Sequence, residues 1–210
     1  VAVVRAKRLS AIEKRLLRSL ATVRETSSTG SLAGRGTRRL EAVLHEAAFL
    51  RAFVAWERFL EETFLSYLMG QKSISGRSLH RYYQPPNASS AWNLLAMMSG
   101  RRPYLDWTEA TEVAKRAKVV FRNGGWFVRL TAQNSILQDM KKLRNAISHD
   151  SDDARAKFEG LVRRELRTLP SGCTPGSFLG TPDRASPARA SFLDKYLDVI
   201  EALAQDILRP

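Results

Sequence analysis

The sequence predicts an all-α protein, an up-and-down helical bundle with additional short helices and long loops. Three observations carry that expectation. Apolar residues recur at three- and four-residue steps over long segments, no segment sustains the alternation of a strand, and Gly, Pro, Ser and Asn clusters separate the periodic stretches. At 210 residues, 44% of them apolar, the chain is long enough to bury its own core. An N-terminal basic helix and flexible loop are expected over 1–36, followed by a helical domain over 37–210.

The first helix is expected over 1–24, with Val4, Leu9, Ile12, Leu16, Leu17, Leu20 and Val23 as its stripe. Its many Lys and Arg residues read either as an RNA-facing surface or as the solvated back of a packed helix. A Ser-, Thr- and Gly-rich loop over 26–36 precedes the longest helix, 37–69, capped by Thr37 and stopped at Met69-Gly70. Leu40, Leu44, Ala47, Phe49, Phe53, Trp56, Phe59, Leu60, Phe64 and Leu68 form its broad apolar side. Glu57 is out of place there. A buried carboxylate is costly unless paired, so Glu57 is expected either to face a cation, with Arg144 the candidate, or to reach water at the rim.

The polar connection over 71–90 interleaves Arg77, His80 and Arg81 with Tyr82 and Tyr83. That mixture suits stacking on and phosphate contact with single-stranded RNA; the plainer reading is that a tyrosine pins the loop to the core. His80 rivals other histidines for catalysis but has no partner that the sequence identifies, and His45 reads as structural or exposed. A short helix over 91–99 places Trp92, Leu94, Leu95, Met97 and Met98 in the core. Asp106-Trp107-Thr108-Glu109 resembles a capping box opening a helix to about Phe121, and Asn123-Gly124-Gly125 is a turn. The glycines match neither GxGxxG nor GxxxxGK[ST].

From Thr131 onward Ile136, Met140, Leu143 and Ile147 mark another buried stripe, leading into Arg144-Asn145-Ala146-Ile147-Ser148-His149. Arg144 falls beside the stripe and is expected to be half-buried. In a continuous helix His149 would point about 140° away from it, so the two converge only if the helix ends, and Asp150-Ser151-Asp152-Asp153 is a stop followed by a capped restart. The next helix, 154–169, turns Phe158, Leu161, Val162 and Leu166 inward and Arg155, Arg163, Arg164 and Arg167 outward. A connection over 170–187 is docked by Phe178 and Leu179, and Ser186-Pro187 opens the last helix through Leu208.

Charge narrows the partner. Thirty-four Lys and Arg against 21 Asp and Glu leave +13, which suits a polyanion, nucleic acid first, unless the basic faces are merely solvated. No run of apolar residues reads as a membrane span or signal segment, so cytoplasm is the expected location. Cys173 stands alone, and three scattered His residues give no zinc spacing; no metal or other cofactor is expected.

Arg144-Asn145-Ala146-Ile147-Ser148-His149 resembles the signature of the HEPN superfamily: an arginine, a neighbouring polar residue, and a histidine after four to six intervening residues. The Trp56-Glu57 helix, the Tyr104-Leu105-Asp106-Trp107 stretch and the Thr174-Pro175-Gly176-Ser177-Phe178-Leu179 loop look like the branch associated with phosphatase-like modules. The resemblance implies a two-fold homodimer with two copies of the motif in a shared groove, acting as an RNA-cleaving toxin or defence effector that an antitoxin or regulatory protein could restrain.

The residue chemistry fits RNA. RNA carries its own nucleophile, the 2′-hydroxyl, and its cleavage needs a base, an acid and a cation on the developing phosphorane. His149 can serve as base or acid and Arg144 as the cation, with Asn145, Lys141 and Ser148 bordering the phosphate or ribose. The alternative is a non-catalytic module binding RNA, a nucleotide or protein. The bland reading of the same pair is an internally bonded arginine and a histidine favoured by a helix C-terminus.

Overall fold

The structure, a computed structural model, describes residues 7–29, 35–98 and 106–210. It is all-α, with no strand among the described residues. The order is α1 (Leu9–Thr29), α2 (Arg35–Leu68), α3 (Ala88–Met97), α4 (Ala110–Val120), 3-10 turns over Arg122–Gln133, α5 (Asn134–Ser148), α6 (Asp152–Leu166), α7 (Pro175–Leu179) and α8 (Phe192–Leu208). No helix among the described residues is long and apolar enough to cross a membrane.

The residues form two compact units whose boundaries fall inside helices: one comprises the chain up to Leu17, Trp56–Leu137 and Glu201–Pro210, the other Arg18–Ala55 and Gln138–Ile200. In the first, Phe64 of α2 meets Trp107, Phe121 and Phe127 with ring centroids 5.5, 5.1 and 4.8 Å away. Tyr67 is fully buried and donates its hydroxyl to the Ile207 carbonyl at 2.8 Å, which satisfies the one polar atom such burial would otherwise penalise. Glu62 gathers Lys7, Arg15 and Arg58 around one carboxylate.

The second unit carries the motif. Its core joins Phe158 of α6, Phe178 of α7 and Phe192 of α8; Phe178 stacks on Phe192 at 4.4 Å and meets Phe158 edge-on at 6.1 Å. Phe178 and Leu179 are fully buried, as expected, and each such side chain contributes roughly 1.5–3 kcal/mol by leaving water. A capping box between Thr174 and Ser177 starts α7, where Pro175 needs no donor. Gly176 then donates its N–H to Glu46 Oε1 at 2.9 Å, and a Cβ there would overlap the Ala42 carbonyl oxygen, so α7 lies on the α2 backbone closely enough to require glycine.

Several expectations are corrected by long-range contacts. Helix α1 continues to Thr29 and α2 begins at Arg35, so the loop expected over 26–36 is helical at both ends; Val4, Tyr104, Leu105 and residues 30–34 lie outside the described residues. Leu40 is 56% exposed and Ala47 is exposed, because the buried side of α2 runs instead through Ala48, Phe49, Ala52 and Phe53. Met97 is 79% exposed, since α3 buries only Ala88, Ala91 and Leu95. Asp106 binds the Thr108 N–H and hydroxyl in a local turn, and α4 starts only at Ala110, after Glu109. Ser186-Pro187 does not open the last helix. Ser186 and Pro187 lie in turns that the Pro182–Ser191 bridge closes, and it is Ser191 whose hydroxyl accepts from the Asp194 N–H at 3.1 Å and caps α8. Helix α6 stops at Leu166 because Arg167 turns left-handed, with φ 64°.

Tyr82 and Tyr83 are 60% and 46% exposed and do not pin their loop. Backbone bonds do: Tyr82 N–H to Val120 O at 2.9 Å and Arg122 N–H to His80 O at 3.0 Å. Arg81 is structural, donating to the Leu68 carbonyl at the end of α2 at 2.9 Å.

Candidate functional site

Helix α5 ends where the motif needs it to end. Its last backbone bond runs from the His149 N–H to the Asn145 carbonyl at 2.9 Å, after which Ser151, extended at φ −131°, caps α6 through the Ala154 N–H. The break releases His149 from the helical repeat and lets it fold back. Arg144 Nη1 lies 3.3 Å from His149 Nε2 and donates to Asn145 Oδ1 at 3.1 Å. If Arg144 donates to Nε2, the imidazole is neutral and keeps its proton on Nδ1.

Arg144 and Asn145 are half-buried, as is Lys141, while Ser148 and His149 are exposed. At 100° per residue Lys141, Arg144, Asn145 and Ser148 occupy about 100° of the α5 circumference, a continuous polar strip beside the buried Met140 and Leu143. The buried stripe starts with Leu137 rather than Ile136. The hydrogen bonds of Arg144 go to Asn145 and His149. Glu57 is half-buried on α2 and belongs to the first unit, so its pairing with Arg144 stays an expectation.

Sequence reasoning missed the pair that ties α5 to the following helix. Arg164 of α6, expected to point to solvent, donates to both oxygens of Asp139, 5% exposed on α5, at 3.1 and 2.5 Å. Lys142 adds a third contact to Asp139 at 3.0 Å. The bond to Asp139, followed by Glu165, raises the Arg164 guanidinium above its ordinary value despite partial burial. The available signal was a carboxylate one residue from the core position Met140, which called for a cation on a neighbouring helix.

Beside His149 opens a cleft of about 610 Å³, within the range of small-ligand sites. Ile147, Asp150, Arg155, Phe158 and the turn over 169–175 line it. Cys173 is at its wall, and burial, partly offset by the Ser177 hydroxyl, pushes the thiol up, so it is protonated at neutral pH and a poor nucleophile. No group of three His, Cys, Asp or Glu side chains among the described residues is placed to hold a metal ion. His80 and His45 lie elsewhere: His80 is exposed in the loop between α2 and α3, edge-on to Tyr82 at 5.8 Å, and His45 is half-buried where a Cβ on Gly180 would meet its ring.

Comparison with family models, with curated proteins and with solved structures gives no match for this chain.

Proposed function

We propose that this chain is an endoribonuclease of the HEPN type, acting in trans on cellular RNA as a toxin or defence effector. The observation that carries the reading is the approach of Arg144 Nη1 to within 3.3 Å of His149 Nε2 at a helix end that leaves the histidine exposed. Supporting it are the likeness of the six-residue motif to the HEPN signature, the polar strip of Lys141, Asn145 and Ser148, and the +13 charge.

In this mechanism His149 of one subunit takes the proton of the RNA 2′-hydroxyl, whose oxygen attacks the adjacent phosphorus. The P–O5′ bond breaks, and the protonated His149 of a second copy gives its proton to the departing 5′-oxygen. Arg144 leaves His149 for the phosphate and neutralises the charge that grows on the non-bridging oxygens. The products are a 2′,3′-cyclic phosphate and a 5′-hydroxyl. Each chain supplies one motif, so the acid and the base come from a two-fold homodimer.

One observation favours a second reading, a module that binds RNA without cutting it. The Arg144 guanidinium lies 3.3 Å from His149 Nε2, and in the Nδ1–H tautomer it covers the lone pair that a general base would use there. The two readings part in one experiment: purified protein with mixed RNA in EDTA, beside Arg144→Ala and His149→Ala proteins of unchanged helicity and oligomeric state. Cleavage by wild type alone, leaving cyclic phosphate ends, is the expected outcome, with each variant slower by about 100-fold or more. Salt-sensitive RNA binding without cleavage would replace the nuclease by the binding module.

A further inference from the structure

The cleft beside His149 has a chemistry that the cleavage step leaves unused. Ile147, Leu169, Pro170 and Pro175 line it with apolar surface, backed by the buried Phe158. Such surfaces accept the flat face of a base, and the volume of about 610 Å³ admits one. The polar lining includes Ser151, Glu159, Ser171 and Thr174, and with them stand two groups of opposite kind that can address a ligand. Asp150 is exposed and has no hydrogen-bond or ion-pair partner among the described residues; as a carboxylate it only accepts. Arg155 is held to Glu159 Oε1 through Nε at 3.3 Å, which leaves both terminal nitrogens to donate, and its side chain is 79% exposed.

A carboxylate and an arginine in one apolar slot select among the four bases. Guanine alone presents two adjacent donors, N1–H and N2–H, for a carboxylate, and on its other edge two adjacent acceptors, O6 and N7, for a guanidinium. Uracil offers a single donor flanked by carbonyls that a carboxylate repels, and adenine and cytosine each offer only one amino group. Asp150 directly follows His149, so a base held here belongs to a nucleotide adjoining the reacting phosphate.

We infer that this cleft is a guanine pocket, in which Asp150 and Arg155 read the two edges of the base and direct cleavage to guanosine positions in single-stranded RNA. The inference rests on the nuclease reading for its consequence in RNA, but not for binding itself.

The test therefore has two arms. In the first, titration calorimetry compares guanosine, adenosine, cytidine and uridine 5′-monophosphates on wild type, Asp150→Asn and Arg155→Ala. Guanosine monophosphate is expected to bind at least about tenfold more tightly than the uridine compound, with the preference falling to within about threefold in either variant. In the second arm, oligouridylates carrying one guanosine, adenosine or cytidine are incubated with wild type and the cut sites mapped, with cuts expected beside guanosine. Equal affinity for the four nucleotides, or an undiminished guanosine preference in Asp150→Asn proteins of native helicity, overturns the pocket. Guanosine selection without any cleavage upholds the pocket and removes the nuclease reading, whereas cleavage at every base without selection does the reverse.

Discussion

Arg164 grips both carboxylate oxygens of Asp139, at 3.1 and 2.5 Å, and so ties α6 to α5. Asp139 is 5% exposed, whereas Arg164 keeps much of its guanidinium in water, so the pair stabilises more than a surface bridge and less than a fully buried one. Asp139→Ala removes the carboxylate that bonds Arg164 across the two helices and is expected to lower unfolding free energy by about 2 kcal/mol. Urea melts check this. If cleavage also falls while KM for RNA stays constant, Asp139 is a positioning residue for Arg144 and His149.

Arg144 tests the geometry of the motif itself. Arg144→Lys keeps the charge but loses the planar fork that reaches Asn145 and His149 together. We expect stability to remain within about 0.5 kcal/mol of wild type and the single-turnover cleavage rate to fall by at least about tenfold. Wild-type rates in the lysine protein would reduce the role of Arg144 to its charge alone.

Gly176 is where α7 is seated. Its N–H binds Glu46, and any Cβ overlaps the Ala42 carbonyl oxygen, a backbone atom that cannot swing aside. Gly176→Ala should therefore destabilise the protein by roughly 1–3 kcal/mol through overpacking, although alanine is a better helix former than glycine. Gly160, in α6, is the internal control: a Cβ there meets nothing, so Gly160→Ala should stabilise by about 0.5–1 kcal/mol. Thermal melts of the two variants shifting in opposite directions would verify the contrast.

Asp183 predicts a pH dependence. Burial pushes its carboxyl up, but the Ala185 N–H at 2.9 Å and the Lys195 ammonium, also at 2.9 Å, outweigh this and hold it below the ordinary value. With the folded-state pKa below the unfolded one, the stabilisation is complete above the unfolded value, near about 3.9, and is lost as pH falls through the folded value. Asp183→Asn should thus be less stable than wild type at neutral pH, and the gap should close only in strong acid. A gap in urea midpoint that stayed constant down to the acid limit would show that Asp183 acts through its shape rather than its charge.

Much of the site was legible because it is local. The periodicity of α5, the stop at Asp150, the cap at Ser151 and the return of His149 towards Arg144 all follow from neighbours within a few residues, and backbone hydrogen bonding decides such events. Helical content was legible for the same reason. The sequence alone could not place Leu40 in solvent or Arg164 on Asp139, since each depends on which distant element covers which face.

The sequence by itself thus determined the all-α class, the order of most helices and the arginine–histidine pair at a broken helix end, because those depend on the 3.6-residue repeat and on capping. Only the tertiary structure decided that the 169–175 turn closes a cleft beside His149, that Gly176 lies on α2 and that Ser191 rather than Ser186 begins α8. Those outcomes depend on groups far apart in the chain, whose approach is set by core packing and by the need of each buried polar atom for a partner.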